Sequence, residues 1–195
     1  MTTVAGAELR EMPTKSWPGQ PDMWFFVLFE TLLFTGYFSV YLVSRTQNHD
    51  LYLQSQSDLD LRIGVFNTIA LLLSSWAIAR CVQAAREGAY RSALTNAFLT
   101  IAFGFVFLIS KIVEWVKEIQ MGNTFTSDEF FSHYFFLTSI HCIHVLIGFV
   151  VLGVVVYQLW SPVRRSQQLV ETCATYWHTV DFLWVLIFAL LYVVR

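Results

Sequence analysis

The stretch FSHYFFLTSIHCIHVLIGFVVLGVVVYQL, residues 131–159, decides the fold. It is 29 residues long, more than the roughly 20 apolar residues with which a helix crosses a bilayer. Two crossings would need about 40 residues, so it reads as one long or tilted membrane helix. Working outward, four further apolar runs reach spanning length: 22–43, 63–84, 92–116 and 169–194. The segments between them (44–62, 85–91, 120–130 and 160–168) are polar or punctuated. Pro13, Pro18, Pro21 and Pro162 all fall outside the spans, so no proline-broken helix is expected. Gly36, Gly104, Gly148 and Gly153 are the expected points of close helix approach.

Composition agrees. Of 195 residues, 56% are hydrophobic and only 13% charged. A soluble globule of this size has too much surface for its volume to hide that apolar content. The net charge of -2 comes with no basic block, which argues against a nucleic-acid partner. Cys81, Cys142 and Cys173 lie in apolar runs with no paired spacing and read as small buried residues. The expected fold is all-α: a polytopic membrane bundle of five transmembrane helices. Residues 1–21 form a polar tail with no signal-peptide core, and residues 22–195 the membrane domain. Asp22 is the expected cap of the first span. Arg10, Lys15, Arg80, Arg86, Arg91, Arg164 and Arg165 share one side, against Arg45, Arg62, Lys117 and Arg195 on the other. This bias places the N-terminal tail in the cytoplasm.

Charges inside hydrocarbon are costly, so those within the spans are the informative residues. Glu30 has no basic residue one turn away; it needs a proton, a hydrogen bond, or a partner on another helix or subunit. Lys111 and Glu114 are three residues apart and can pair on one face, with Lys117 three further on. His141, His144 and Gly148 share a face of the fourth span, and Glu171, His178 and Asp181 a face of the fifth. These two polar stripes are expected to satisfy each other across the bundle. A metal site is not specified by this spacing. The five histidines, which include His49 and His133, are too few for a haem–copper catalytic core or a histidine-box di-iron oxygenase. Haem held by His141 and His178 remains compatible with the count. Trp17, Trp24, Trp115, Trp160 and Trp177 read as an interfacial belt. Phe98, Phe103, Phe105 and Phe107 read as lipid-facing or packing surface.

Four ordered segments resemble the cytochrome c oxidase subunit III family. Ser139 to Gly148, containing His141-Cys142-Ile143-His144-Val145, resembles its HxxHVxxG segment. Tyr176-Trp177-His178-Thr179-Val180-Asp181 resembles its YWHFVD segment, with Thr179 where Phe is usual and Glu171 five residues before Tyr176. The run ending in Glu114-Trp115 is similar to one ending in Glu-Tyr. The stretch from Met23 to Phe38, around Glu30, is similar to the one carrying the family's membrane-buried glutamate. The usual member has seven helices, and this chain looks like the short five-helix form lacking the first two. Met23-Trp24 and Lys111 lean toward an accessory branch encoded with nitric oxide reductase, and Glu30 leans toward the oxidases.

The resemblance implies a non-catalytic subunit of a haem–copper respiratory oxidase, supporting assembly, stability and proton uptake in a bacterial plasma membrane. It implies that haem and copper sit in a catalytic subunit I-like partner, that other complex subunits and membrane lipid are neighbours, and that no cofactor is bound directly. The alternatives are an accessory subunit of a nitric oxide reductase complex, or an independent small haem-binding or proton-coupled membrane protein.

Overall fold

The computed structural model describes residues 21–163 and 165–194. Most of the polar tail, including Trp17, Arg10 and Lys15, lies outside the described residues, as do Arg164 and Arg195. The elements are α1 (Pro21–Gln47), α2 (His49–Asp58), α3 (Leu61–Arg86), α4 (Tyr90–Gln120), α5 (Glu129–Trp160) and α6 (Gln167–Phe188). A closing π-helical turn, Ala189–Val193, continues α6. There is no strand among the described residues. Five helices (α1, α3, α4, α5, and α6 with its closing turn) are long and apolar enough to cross a membrane. They contain the first four expected runs and all of the fifth but Val194, and extend beyond them at most other ends, because helical hydrogen bonding continues into the polar flanks.

Local chemistry sets the boundaries. Asp60, Asp128 and Ser166 cap α3, α5 and α6 by accepting from the backbone N–H groups of Arg62, Phe131 and Leu169. Each satisfies a donor that the first turn leaves open. Gly88 (φ 75°) and Gly122 (φ 94°) follow α3 and α4 in the left-handed region that ends helices. Helix α1 starts at Pro21, one residue before the expected boundary. Proline suits a first helical position, and this corrects the expected cap: Asp22 sits inside the first turn, where its charge faces the positive helix end.

The short helix α2 was not expected from its polar sequence. Its inward residues Tyr52, Ser55 and Gln56 are buried. Ser55 Oγ donates to Asp128 Oδ2 (2.8 Å) and Gln56 Nε2 to the Val194 carbonyl (3.0 Å). Asn48 Nδ2 donates to Glu129 Oε2 (2.8 Å). Burial, with the Glu129 charge nearby, pushes the Tyr52 phenol up to about 12.

The centre of the bundle is built around Trp177. A Cβ on Gly148 would lie 2.6 Å from the Trp177 ring, and one on Gly104 3.1 Å from it and 2.8 Å from Phe149. These two glycines flatten α5 and α4 and make the slot the indole fills. Its Nε1 donates to Ser74 Oγ (2.9 Å), which donates to the Thr100 carbonyl (3.1 Å). Trp177 is therefore fully buried, correcting its expected place in an interfacial belt. Trp24 and Trp160 are exposed near helix ends. Two of the four expected close-approach glycines are also corrected: among the described residues nothing lies within 4 Å of a Cβ at Gly36 or Gly153. Gly64 takes that role instead, against the rings of Tyr192 and Phe188. Phe107 is buried, whereas Phe98 and Phe105 face outward. The three cysteines are free and buried.

Candidate functional site

The polar residues singled out within the spans form three groups of different character.

The first is a buried charge cluster. Lys111 Nζ lies 3.0 Å from Glu114 Oε2, and both side chains are wholly inaccessible. The i, i+3 spacing on α4 puts them on one face. The same ammonium donates to Tyr192 Oη (2.8 Å) and Tyr134 Oη (3.1 Å), so its three protons are all used. Tyr192 in turn donates to Glu114 Oε1. The rings of Tyr134 and Trp184 lie 4.6 and 5.2 Å from Nζ, adding cation–π attraction to a desolvated charge. A buried pair holds together only when its remaining protons and lone pairs are satisfied, and the two tyrosines meet that condition. Lys117 does not extend the cluster; it reaches Asp60 at 3.8 Å. Glu118 continues it instead, buried and accepting from Asn123 Nδ2 (2.9 Å).

The second is an interhelical proton-holding pair. Glu30 on α1 lies 3.1 Å from His144 Nε2 on α5. His144 Nδ1 sits 2.8 Å from the Ile140 carbonyl, which fixes Nδ1 as the N–H. One proton then lies between Nε2 and the carboxylate, giving either a neutral pair or an imidazolium–carboxylate pair. Glu30 thus finds its partner on another helix. Phe34 covers the imidazole edge-on at 5.6 Å.

The third group is the pair of stripes on α5 and α6, and here the expectation of mutual satisfaction is corrected. Glu171 accepts from Arg86 Nε and Gln167 Nε2, both at 2.9 Å. His178 Nδ1 is 2.6 Å from Ser75 Oγ. The α6 stripe therefore turns toward α3. The two α5 histidines part company, because three residues advance a helix by about 300° and leave them roughly 60° apart. That angle sends His144 into the gap with α1 and His141 into the centre. The His141 ring sits 5.5 Å from Phe107 and 5.2 Å from Trp184. His178 instead lines an outward groove with Trp24, Val27 and Phe182, so the two histidines considered for haem face different surroundings. Among the described residues no three His, Cys, Asp or Glu side chains converge as metal ligands would.

Tyr134, Tyr192, Ser75 and Arg86 were missed in the sequence. A signal existed for the tyrosines: Tyr134 lies seven residues before His141, and Tyr192 eleven after Asp181, so each shares its neighbour's helix face.

Comparison with known proteins adds the following. A family model described as cytochrome c oxidase subunit III matches residues 20–194. The chain is 32% identical over 183 residues to cytochrome c oxidase subunit 3 of Synechocystis sp., covering 89% of this chain and 77% of that one. It is 28% identical over 171 residues to cytochrome c oxidase subunit 3 of Thermostichus vulcanus, covering 86% and 83%. It is also similar to the heme-copper oxidase subunit I+III of Aeropyrum pernix, 26% identical over 199 residues, covering 94% of this chain and 24% of that one.

Proposed function

The chain belongs to the cytochrome c oxidase subunit III family, and from that premise we propose that it is the non-catalytic third subunit of a haem–copper respiratory oxidase. The family match over residues 20–194 carries this reading, since it spans every membrane helix and all the motif residues. The partner is a subunit I-like protein that holds the haem and copper. A relative whose name joins subunits I and III supports that pairing, because fusion places the two in one assembly. The setting is a bacterial plasma membrane, with the N-terminal tail in the cytoplasm as the lysine and arginine bias directs. Membrane lipid is a neighbour: a groove whose exposed lining is mainly apolar (Tyr37, Val40, Phe125, Phe136 and Leu137), with Ser132 and His133 also on its wall, suits an acyl chain.

The contribution of this subunit is assembly, stability and sustained proton uptake. Glu30 and His144 supply a protonatable pair within the membrane region, and the Lys111 cluster locks the helices that hold it. The test compares the oxidase complex with and without this chain, and with Glu30→Gln. The reading expects a similar initial turnover that decays sooner when the chain is absent. Identical persistence and identical recovery of the complex would overturn it. Should the complex that incorporates the chain reduce nitric oxide rather than oxygen, the accessory-branch reading takes its place.

A further inference from the structure

Ser75 on α3 meets two titratable side chains of α6. Its Oγ is 2.6 Å from His178 Nδ1, and it lies beside the Asp181 carboxyl. His178 and Asp181 are three residues apart, a helical spacing that lets one side chain of a neighbouring helix reach both. The preceding residue on each helix fixes the level: Trp177 Nε1 donates to Ser74 Oγ at 2.9 Å. Two adjacent pairs, Ser74 with Trp177 and Ser75 with His178, thus hold α3 and α6 in register here.

The two ends of this arrangement have different surroundings. Asp181 is 4% exposed, and no other group among the described residues bonds to its oxygens. The buried Lys111 ammonium has spent its protons on Glu114, Tyr134 and Tyr192. His178 is half-buried and lines the groove between α1 and α6. The other walls of that groove, Trp24, Val27, Thr31, Thr175, Thr179 and Phe182, carry no titratable group. Glu30, also on α1, turns to His144 on α5. Asp181 and His178 therefore have each other, through Ser75, as proton partners.

A serine hydroxyl has one proton to give and lone pairs to receive another. Between a carboxyl and an imidazole it can pass a proton without holding a charge. In the resting form all three groups are neutral, because separated charges in a hydrocarbon-enclosed site are costly. The Asp181 O–H then donates to Ser75 Oγ, and the Ser75 O–H to His178 Nδ1. In the shifted form the Ser75 proton has moved to Nδ1 and the Asp181 proton to Oγ. Two O–H bonds break, one N–H and one O–H form, and an imidazolium and a carboxylate result. Release of the Nε2 proton to water in the groove completes the transfer outward, and uptake runs the same steps backward.

We propose that Asp181, Ser75 and His178 form a proton relay from the interior of the bundle to the groove between α1 and α6. It is a second protonatable site, separate from the Glu30–His144 pair, and it is complete within this chain.

The test uses the full chain in lipid nanodiscs. Infrared spectra follow the Asp181 carboxyl, identified by carbon-13 aspartate and by its loss in Asp181→Asn. Transfer into heavy water reports how fast that carboxyl exchanges its proton. The proposal expects a protonated carboxyl in the wild type, with a carbonyl band that shifts when Ser75→Ala removes its acceptor. Ser75→Ala and His178→Phe should each slow the exchange by about a hundredfold, the usual worth of a positioned proton carrier. Ser75→Thr, which keeps the hydroxyl, should restore it. A hydrogen bond with a structural role alone would leave the exchange unmoved in His178→Phe. Equal exchange in all variants, or an ionised Asp181 in the wild type, would overturn the proposal. Should the variants not fold, the wild type decides: a carboxyl that keeps its proton in heavy water would overturn it, and one that exchanges would uphold it.

Discussion

Helix α1 and the α3–α6 bundle are both apolar and both spanning, yet they are held in different ways. In α6 half of the most apolar 18-residue window is buried within the chain, and in α1 only 17% is. The bundle is locked by shape and charge: the Trp177 slot between two glycines, and the Lys111 ammonium with every proton used. Helix α1 is tied by a few directional contacts. Glu30 meets His144, Tyr41 Oη donates to the Leu190 carbonyl at 3.1 Å, and Phe34 lies against His144. In lipid there is no hydrophobic drive between helices, so packing and polar contacts decide association. A helix with little packing depends on its polar contacts far more than one with much.

The largest effect expected from breaking this contrast is at Lys111. Lys111→Met leaves Glu114 buried without its cation, and removing one partner of such a pair costs about 3–5 kcal/mol. Thermal unfolding in detergent should show it as a large fall in midpoint, or as loss of the folded protein. Next comes a matched pair of glycine substitutions. Gly148→Ala drives a methyl into the Trp177 ring and should cost about 1–3 kcal/mol. Gly36→Ala on α1 meets nothing within 4 Å among the described residues and should leave stability unchanged or raise it by about 0.5–1 kcal/mol. Equal losses at both positions would erase the distinction between the two regions.

Glu30→Gln sharpens the comparison from the other side. An interhelical hydrogen bond in a membrane contributes about 1 kcal/mol, so the unfolding midpoint should move little. Recovery of the assembled complex should fall more, because α1 loses its charged contact with α5 and keeps only ring contacts there. Measuring both quantities on one preparation separates anchoring of α1 from stability of the bundle. The smallest effect belongs to Arg86→Gln. The Arg86 side chain is 57% exposed in its pair with Glu171, and an exposed pair of this kind is worth about 0.5 kcal/mol, within the scatter of a thermal melt.

The same contrast explains what the sequence revealed. Spans and the Lys111–Glu114 pair were legible because they depend on spacing along one helix. The roles of Gly104 and Gly148 were legible because small residues mark close contacts. The partner of Glu30 was not, since it lies 114 positions away on α5 and only the crossing of two helices brings it near. Trp177 looked interfacial because tryptophan favours membrane surfaces. Its burial follows from a slot to which two other helices contribute, and no single segment encodes that. Helix α2 was hidden by its polarity: its docking uses hydrogen bonds to Asp128 and to the Val194 carbonyl rather than an apolar stripe.

The most direct test of the account is capture of the tagged chain from its native membrane in mild detergent, with an optical spectrum and mass spectrometry of what accompanies it. The account predicts haem absorbance and a haem–copper catalytic subunit travelling with the chain, both lost when the partner is stripped away. A stable, colourless protein that travels alone in several detergents would contradict it, and would leave the family membership as a statement of ancestry.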